Sequence, residues 1–359
     1  MSTKSRKKVL FGVLLAAIGC LLYLLFWPVS VDPVAWSPQE PPPLAGAYEP
    51  NTYISNVERV GAGAGFALEG VAIDAEGRIY SGLEGGDILR FQADGGRPTV
   101  FARTGGRPLG MEFDRDGNLI VADANKGLLA VGRDGSVGVL STEAQGVPLG
   151  CANDLDVAAD GTIYFTDASV KFPLSVYKHD LIEHRPHGRL LSYEPASKTT
   201  RVILDGLHFA NGVAVSPDQS FVLVVETGEY RVHRVWLAGE QKGKRDVFID
   251  NLPGFPDNIT SNGRDKFWLA LITPRNRLLD ALMPHPFLRK ALVRLPGFLQ
   301  PAPARYGFVL GLDREGRVVN NLQDPSGKSF AQISSVLERD GKLYFGSLGE
   351  DAIGRMPAP

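Results

Sequence analysis

The stretch Leu155–Asp167, LDVAADGTIYFTD, decides the fold. A short apolar run meets a tight polar turn at Asp160-Gly161, and a second run of β-branched and aromatic residues follows. That order is the signature of a β-hairpin. The same grammar recurs in VAIDAEGRIYSG from Val71, MEFDRDGNLIVAD from Met111 and VAVSPDQSFVLVVE from Val213. Two weaker copies follow, ITSNGRDKFWLAL from Ile259 and VLERDGKLYFGSL from Val336. Six hairpins repeating roughly every 40–50 residues, with one longer gap, predict an all-β, six-bladed β-propeller. An open solenoid is the rival architecture, but six units with degenerate ends suit a closed ring better. In a ring the first and last blades must join, and the strand-like NTYISNVERV from Asn51 is expected to complete the last blade.

Outward from the repeat, the composition agrees. Among 359 residues, 41 Gly and 25 Pro fit many strands joined by turns. Lys and Arg total 38 against 40 acids, a formal net charge of −2, so no nucleic-acid partner is indicated. The two cysteines, Cys20 and Cys151, can build neither a disulfide framework nor a thiolate metal site, and Cys20 stands in an apolar run.

The N-terminus is divided into a basic tail, 1–8, and an apolar segment, 9–27. That segment is long enough to span a bilayer core as one helix. Lys4, Arg6, Lys7 and Lys8 place the N-terminus in the cytoplasm and all that follows outside it, in the periplasm of a Gram-negative cell, as a single-pass signal anchor. A cleaved signal peptide is the alternative reading. Residues 28–50 hold seven prolines and read as a stiff linker, a stalk between membrane and propeller, which occupies 51–359. In the long gap, near 275–300, leucines at helical spacing interrupted by Pro284 and Pro286 predict two short amphipathic helices. They form either a packed cap or an apolar lid over the propeller mouth that also touches lipid.

Chemistry enters through the register of the hairpins. The turn positions are Gly77, Gly117, Gly161, Gln219, Asp265 and Gly341; the same short distance upstream lie Glu69, Leu109, Asn153, Asn211, Asp257 and Ile333. Inner strands of a propeller border its axis, so these positions form a ring. Four of the six carry oxygen donors. Two carboxylates facing each other in a buried hub need a compensating cation. With Asn258 added, five oxygens bearing two negative charges suit Ca2+, which accepts 6–8 oxygens in adaptable geometry. Zinc would require His or Cys.

The motifs GRPLGMEFDRDGNLIVADANKGL, NDLDVAADGTIYFTDAS, FANGVAVSPD, GFPDNI and DGKLYFGSL resemble the strictosidine synthase-like/adipocyte plasma membrane-associated protein family. That family lies within the calcium-dependent propeller superfamily of gluconolactonases and paraoxonases. The resemblance runs from about residue 53 to the C-terminus and implies metal ligands at Glu69, Asn153, Asn211, Asp257 and Asn258. Two departures limit it. The catalytic glutamate of plant strictosidine synthases aligns with Ser334, which disfavours condensation chemistry, and the paraoxonase histidine of the second blade aligns with Leu109.

The resulting expectation is a calcium-dependent hydrolase of a hydrophobic lactone or aryl or carboxylic ester, the cation polarising the carbonyl. Asp257 and His208 are the candidate catalytic bases. Asp154 is either a second metal ligand or a strand cap. His179, His184 and His187 fall in a stretch that reads as a polar loop unsuited to a metal, and Asp123 and Asp167 read as turn caps. The alternative function is a membrane-tethered scaffold with structural calcium, and a strictosidine synthase-type condensing enzyme is weaker still.

Overall fold

The computed structural model describes residues 3–359. Six four-stranded antiparallel sheets form the blades, and five of them run outward from the axis in chain order. The inner strands are Ala72–Ile73, Pro108–Phe113, Ala152–Val157, Ala210–Val215, Gly254–Ser261 and Ile333–Arg339. The outer edge of the sixth blade is Glu58–Val60, paired with Ile353–Pro357 through Glu58↔Arg355 and Val60↔Ile353. The segment from Asn51 thus closes the ring as expected, joining the chain's two ends and leaving only short outer edges. Apolar side chains fill the wedges between blades; Trp268, Phe330 and Phe345, all fully buried, lock blades five and six together.

Turn chemistry explains how the hairpins keep register. In blade three the turn glycine, Gly161, has φ 93°, a conformation that costs glycine least. In blade five the positive φ falls at Gly263 (73°) rather than at the expected Asp265. Blade six differs more. Its inner hairpin is a two-residue turn with φ 50° at Asp340 and 70° at Gly341, joining Arg339 directly to Lys342. Counting back from Gly341 therefore overshoots: Ile333 is buried in the apolar core, and Ser334 takes the position at the hub.

Four helices stand outside the blades: α1 (Thr3–Phe26), α2 (Tyr177–Glu183), α3 (Arg277–Leu282) and α4 (Pro286–Arg294). Ser5–Phe26 of α1 is long and apolar enough to cross a membrane. Helices α3 and α4 are the two expected from the leucine spacing; they interrupt blade five between its second and third strands. Helix α2 lies at the equivalent place in blade three, within the stretch that reads as a polar loop. Second strands end where inner strands begin, so α2, α3 and α4 all rise from the rim that carries the ring positions.

The Pro-rich segment is no free stalk. It lies across these helices: Val34 N donates to Glu183 O, Trp36 N donates to Met283 O, and Val31 is buried. The buried Arg289 of α4 donates to Val34 O and Ile182 O, pinning strap, α4 and α2 together.

Candidate metal centre

The inner strands do not run straight into the hub. In blades two, three and four, pairing with the second strand breaks between Pro108 and Met111, Ala152 and Leu155, and Ala210 and Val213. In blade five it breaks between Pro256 and Ile259. Each break is a β-bulge that frees two residues from the ladder and re-aims their side chains. The first freed residue is Leu109, Asn153, Asn211 or Asp257; the second is Gly110, Asp154, Gly212 or Asn258. The sequence ring is therefore a ring of bulges, with Ser334 as the counterpart in blade six.

Close approach of neighbouring blades makes the ring tight. A Cβ on Gly346 would strike the carbonyl oxygen of Glu69, which also accepts from Ser335 Oγ at 2.6 Å and Ser334 Oγ at 3.2 Å. Glu69, Asn153, Asn211, Asp257 and Asn258 are each no more than 5 % exposed.

Hydrogen bonding sets the orientation of the amides. Thr227 Oγ1 donates to Pro256 O at 2.7 Å, which spends its proton, so it accepts from Asn211 Nδ2 at 3.2 Å. Asn211 Oδ1 is thereby turned away from any donor. Asn153 Oδ1, Asn211 Oδ1 and Asn258 Oδ1 are all buried with no hydrogen-bond partner among the described residues. Each orphaned acceptor costs about 1–3 kcal/mol. Three of them beside two buried carboxylates form an oxygen-rich set that a hard divalent cation satisfies, and neither His nor Cys stands among them.

Burial pushes the Asp257 carboxyl well up, and the neighbouring Glu69 charge pushes it further. Burial also raises Glu69, against the pull of Arg107, whose Nη2 lies 3.2 Å from Glu69 Oε2. Arg107 was missed by sequence reasoning, although it opens the PLG segment of blade two. Below the ring an axial channel of about 520 Å³ is lined by Asp154, Asn258, Glu112 and Asp156. Asp154, pushed up to about 8 by burial, accepts from Val213 N at 3.0 Å and so bridges blades three and four.

Above the ring, Leu109, Cys151, Ala168 and Phe209 pack with Leu174, Tyr177 and Leu181 of the α2 region. Burial raises the Tyr177 hydroxyl, and the Asp257 and Glu69 charges push it further. The roof is apolar, with this one polar handle.

His208 belongs to an adjoining network. Asp123 and Asp167 end their second strands and cap the start of the inner strand of their own blade, accepting from Arg107 N and Cys151 N at 2.8 Å each. Glu226 holds the same place in blade four. It accepts from His208 N at 2.8 Å and, being longer, also reaches His208 Nδ1 at 3.0 Å and His233 Nε2 at 2.8 Å. Burial would raise Glu226, but these histidines and Arg231 hold it well below the usual carboxylate range. His184, His208 and Glu229 bring three ligand atoms within 4.8 Å of one another. The two imidazoles, however, stack 4.4 Å apart at 21°, so their in-plane lone pairs run side by side rather than converging. His179 and His187 are held separately, by Ser30 and Glu183.

Comparison with known proteins follows this geometry. The strictosidine synthase family model matches residues 153–240, and the strictosidine synthase-like N-terminal model matches residues 46–91. Adipocyte plasma membrane-associated protein of Salmo salar is 36 % identical over 377 residues, covering 96 % of this chain and 89 % of its own length. The chain belongs to the strictosidine synthase-like family that includes adipocyte plasma membrane-associated protein. Strictosidine synthase-like 4 of Arabidopsis thaliana, 34 % identical over 94 % of this chain and 92 % of its own, lies in the same family. Among solved structures, a gluconolactonase of Xanthomonas campestris superposes with a TM-score of 0.62 at 17 % identity, over 92 % of this chain and 99 % of that one. Regucalcin of Agrobacterium tumefaciens, a calcium-binding protein, gives 0.60 at 16 %, over 83 % and 92 %. At these identities the likeness is one of fold, and family membership rests on the sequence relatives.

Proposed function

We propose that this family member is a membrane-anchored, calcium-dependent hydrolase of a hydrophobic lactone or ester. The observation that carries the proposal is the trio of orphaned amide oxygens, Asn153, Asn211 and Asn258, buried with the carboxylates of Glu69 and Asp257. These five residues hold the cation, and α1 anchors the chain in the membrane. When bound, calcium supplies a Lewis acid that polarises a carbonyl oxygen and stabilises the charge developing on it.

The chain's own residues supply the rest. The apolar roof of Leu109, Phe209, Leu174 and Leu181 excludes bulk water and favours an apolar acyl or lactone body. Of the two candidate bases, Asp257 is committed to the cation. His208 remains as the proposed base: ionised Glu226 accepts from its Nδ1 at 3.0 Å, which leaves Nε2 to take a proton from water. A gluconolactonase and a luciferin-regenerating enzyme among proteins of the same fold support hydrolytic chemistry. Ser334, buried against Glu69 O, offers no carboxylate for condensation.

The test is hydrolysis of phenyl acetate and a panel of lactones by the full chain in detergent, with calcium or with a chelator. Turnover is expected with calcium alone. His208→Gln is expected to lower kcat by about 10²–10⁴ while calcium affinity is kept, and Asp257→Asn to abolish calcium binding. A folded, calcium-loaded protein that hydrolyses none of the panel would point to a tethered scaffold with structural calcium.

A further inference from the structure

Helix α4 is partly inverted: Leu292 is buried, but so are two of the helix's cations. Its arginines, Arg289 and Arg294, are buried, whereas Phe287 is 51 % exposed and Leu288 is also exposed. Just beyond it Phe298 is 86 % exposed and Leu299 also stands free, and Leu278 of α3 adds a fifth large apolar side chain. A surface helix facing water shows the opposite arrangement, with apolar residues inward and cations outward. Both arginines turn inward to satisfy backbone carbonyls, Arg289 on the strap and α2, Arg294 on α1.

The Arg294 contacts fix where this apolar surface lies. Its Nη1 donates to Leu24 O at 2.8 Å and its Nε to Trp27 O at 2.6 Å. Those carbonyls are the C-terminal end of α1, where a cation is favoured. Tyr23 and Trp27, whose rings lie 5.7 Å apart, mark the same end with the aromatic pair expected at a membrane–water boundary. Phe298 is four residues past Arg294, at most about 14 Å of extended chain. Phe287 is seven residues before it on one helix, about 10 Å at 1.5 Å per residue. Phe287, Leu288, Phe298 and Leu299 therefore lie within about 14 Å of the residue that holds the end of α1.

We infer that the α3–α4 insertion is a second membrane contact, with Phe287, Leu288, Phe298 and Leu299 seated in the lipid interface beside α1. The inference rests on α1 spanning a membrane and is independent of whether the hub hydrolyses anything. The partner is the bilayer itself, because the patch is continuous with the spanning helix. One consequence concerns the site: the rim bearing the hub faces lipid, so a substrate of the proposed hydrolase reaches it from the bilayer.

The experiment uses the full chain in phosphatidylcholine vesicles, in a Cys20→Ala background; Cys151 is buried and unreactive. Nitroxides are attached singly at Leu14→Cys in α1, at Phe287→Cys, at Phe298→Cys, and at Val139→Cys on the exposed flank of blade two. Power saturation compares collision with lipid-soluble oxygen and with a water-soluble nickel chelate. Labels at 14, 287 and 298 are expected to favour oxygen at least threefold over the label at 139. If 14 reports lipid while 287 and 298 match 139, the docking surface is overturned and the anchor stands. If 14 itself reports water, both fail.

Discussion

At the scale of single residues, the hub depends on side chains outside the proposed ligand set. Thr227 holds Asn211 with its oxygen unpaired, a supporting role of the kind whose loss typically weakens metal affinity by 10–100-fold. Thr227→Val is expected to weaken calcium binding about tenfold by calorimetric titration with the fold unchanged, and unchanged affinity would remove Thr227 from the account. Gly346→Ala drives a methyl into Glu69 O and is expected to reduce calcium affinity similarly. Beneath the hub, Glu112 and Asp156 face each other in the channel. Burial, then the Asp156 charge and finally Asp154 push Glu112 well up, while Val157 N pulls it back; Asp156 is raised too, burial being the leading cause. An acid raised in the native state contributes stability that is fully present below the unfolded carboxylate range and is lost as pH rises through the native value. This pair's contribution should therefore fall as pH climbs above the unfolded carboxylate range, and Glu112→Gln should flatten that slope in denaturant titrations.

At the scale of elements, the closing strand is the joint on which the ring depends. Val60 is buried against Phe91 and Ile353, so Val60→Asp leaves an unpaired charge in that wedge. A loss of about 3 kcal/mol or more is expected by denaturant unfolding, against under about 0.5 kcal/mol for Val139→Asp on the outer surface. The hairpins were legible because an Asp-Gly turn between two apolar runs has one economical structure, and four of the six ring positions followed from that spacing. Blade six escaped the count because its two-residue turn shortens the hairpin, which moves the hub position from Ile333 to Ser334. Helix α2 escaped because it is only seven residues long and its apolar face, Tyr177 and Leu181, is interleaved with His179, Asp180 and Glu183, whose burial depends on partners distant in sequence. Arg107 escaped for a similar reason. Its pairing with Glu69 crosses from one blade to the next, and hairpin periodicity carries no information about that contact.

At the scale of the whole molecule, the parts form an axis. The α3–α4 insertion and the end of the apolar helix α1 meet at the rim, an apolar roof shelters the hub, and a polar channel runs below it. The blades converge on unpaired oxygens, and the proposed calcium ion would be their common fastener. Stripping calcium from the full chain is expected to lower Tm by several degrees, and Glu69→Gln is expected to abolish that difference. The most direct measurement is anomalous diffraction from crystals grown with calcium. The account predicts one peak on the propeller axis, about 2.3–2.6 Å from oxygens of Glu69, Asn153, Asn211, Asp257 and Asn258. A hub without a peak, its acids paired only with Arg107 and water, would contradict it.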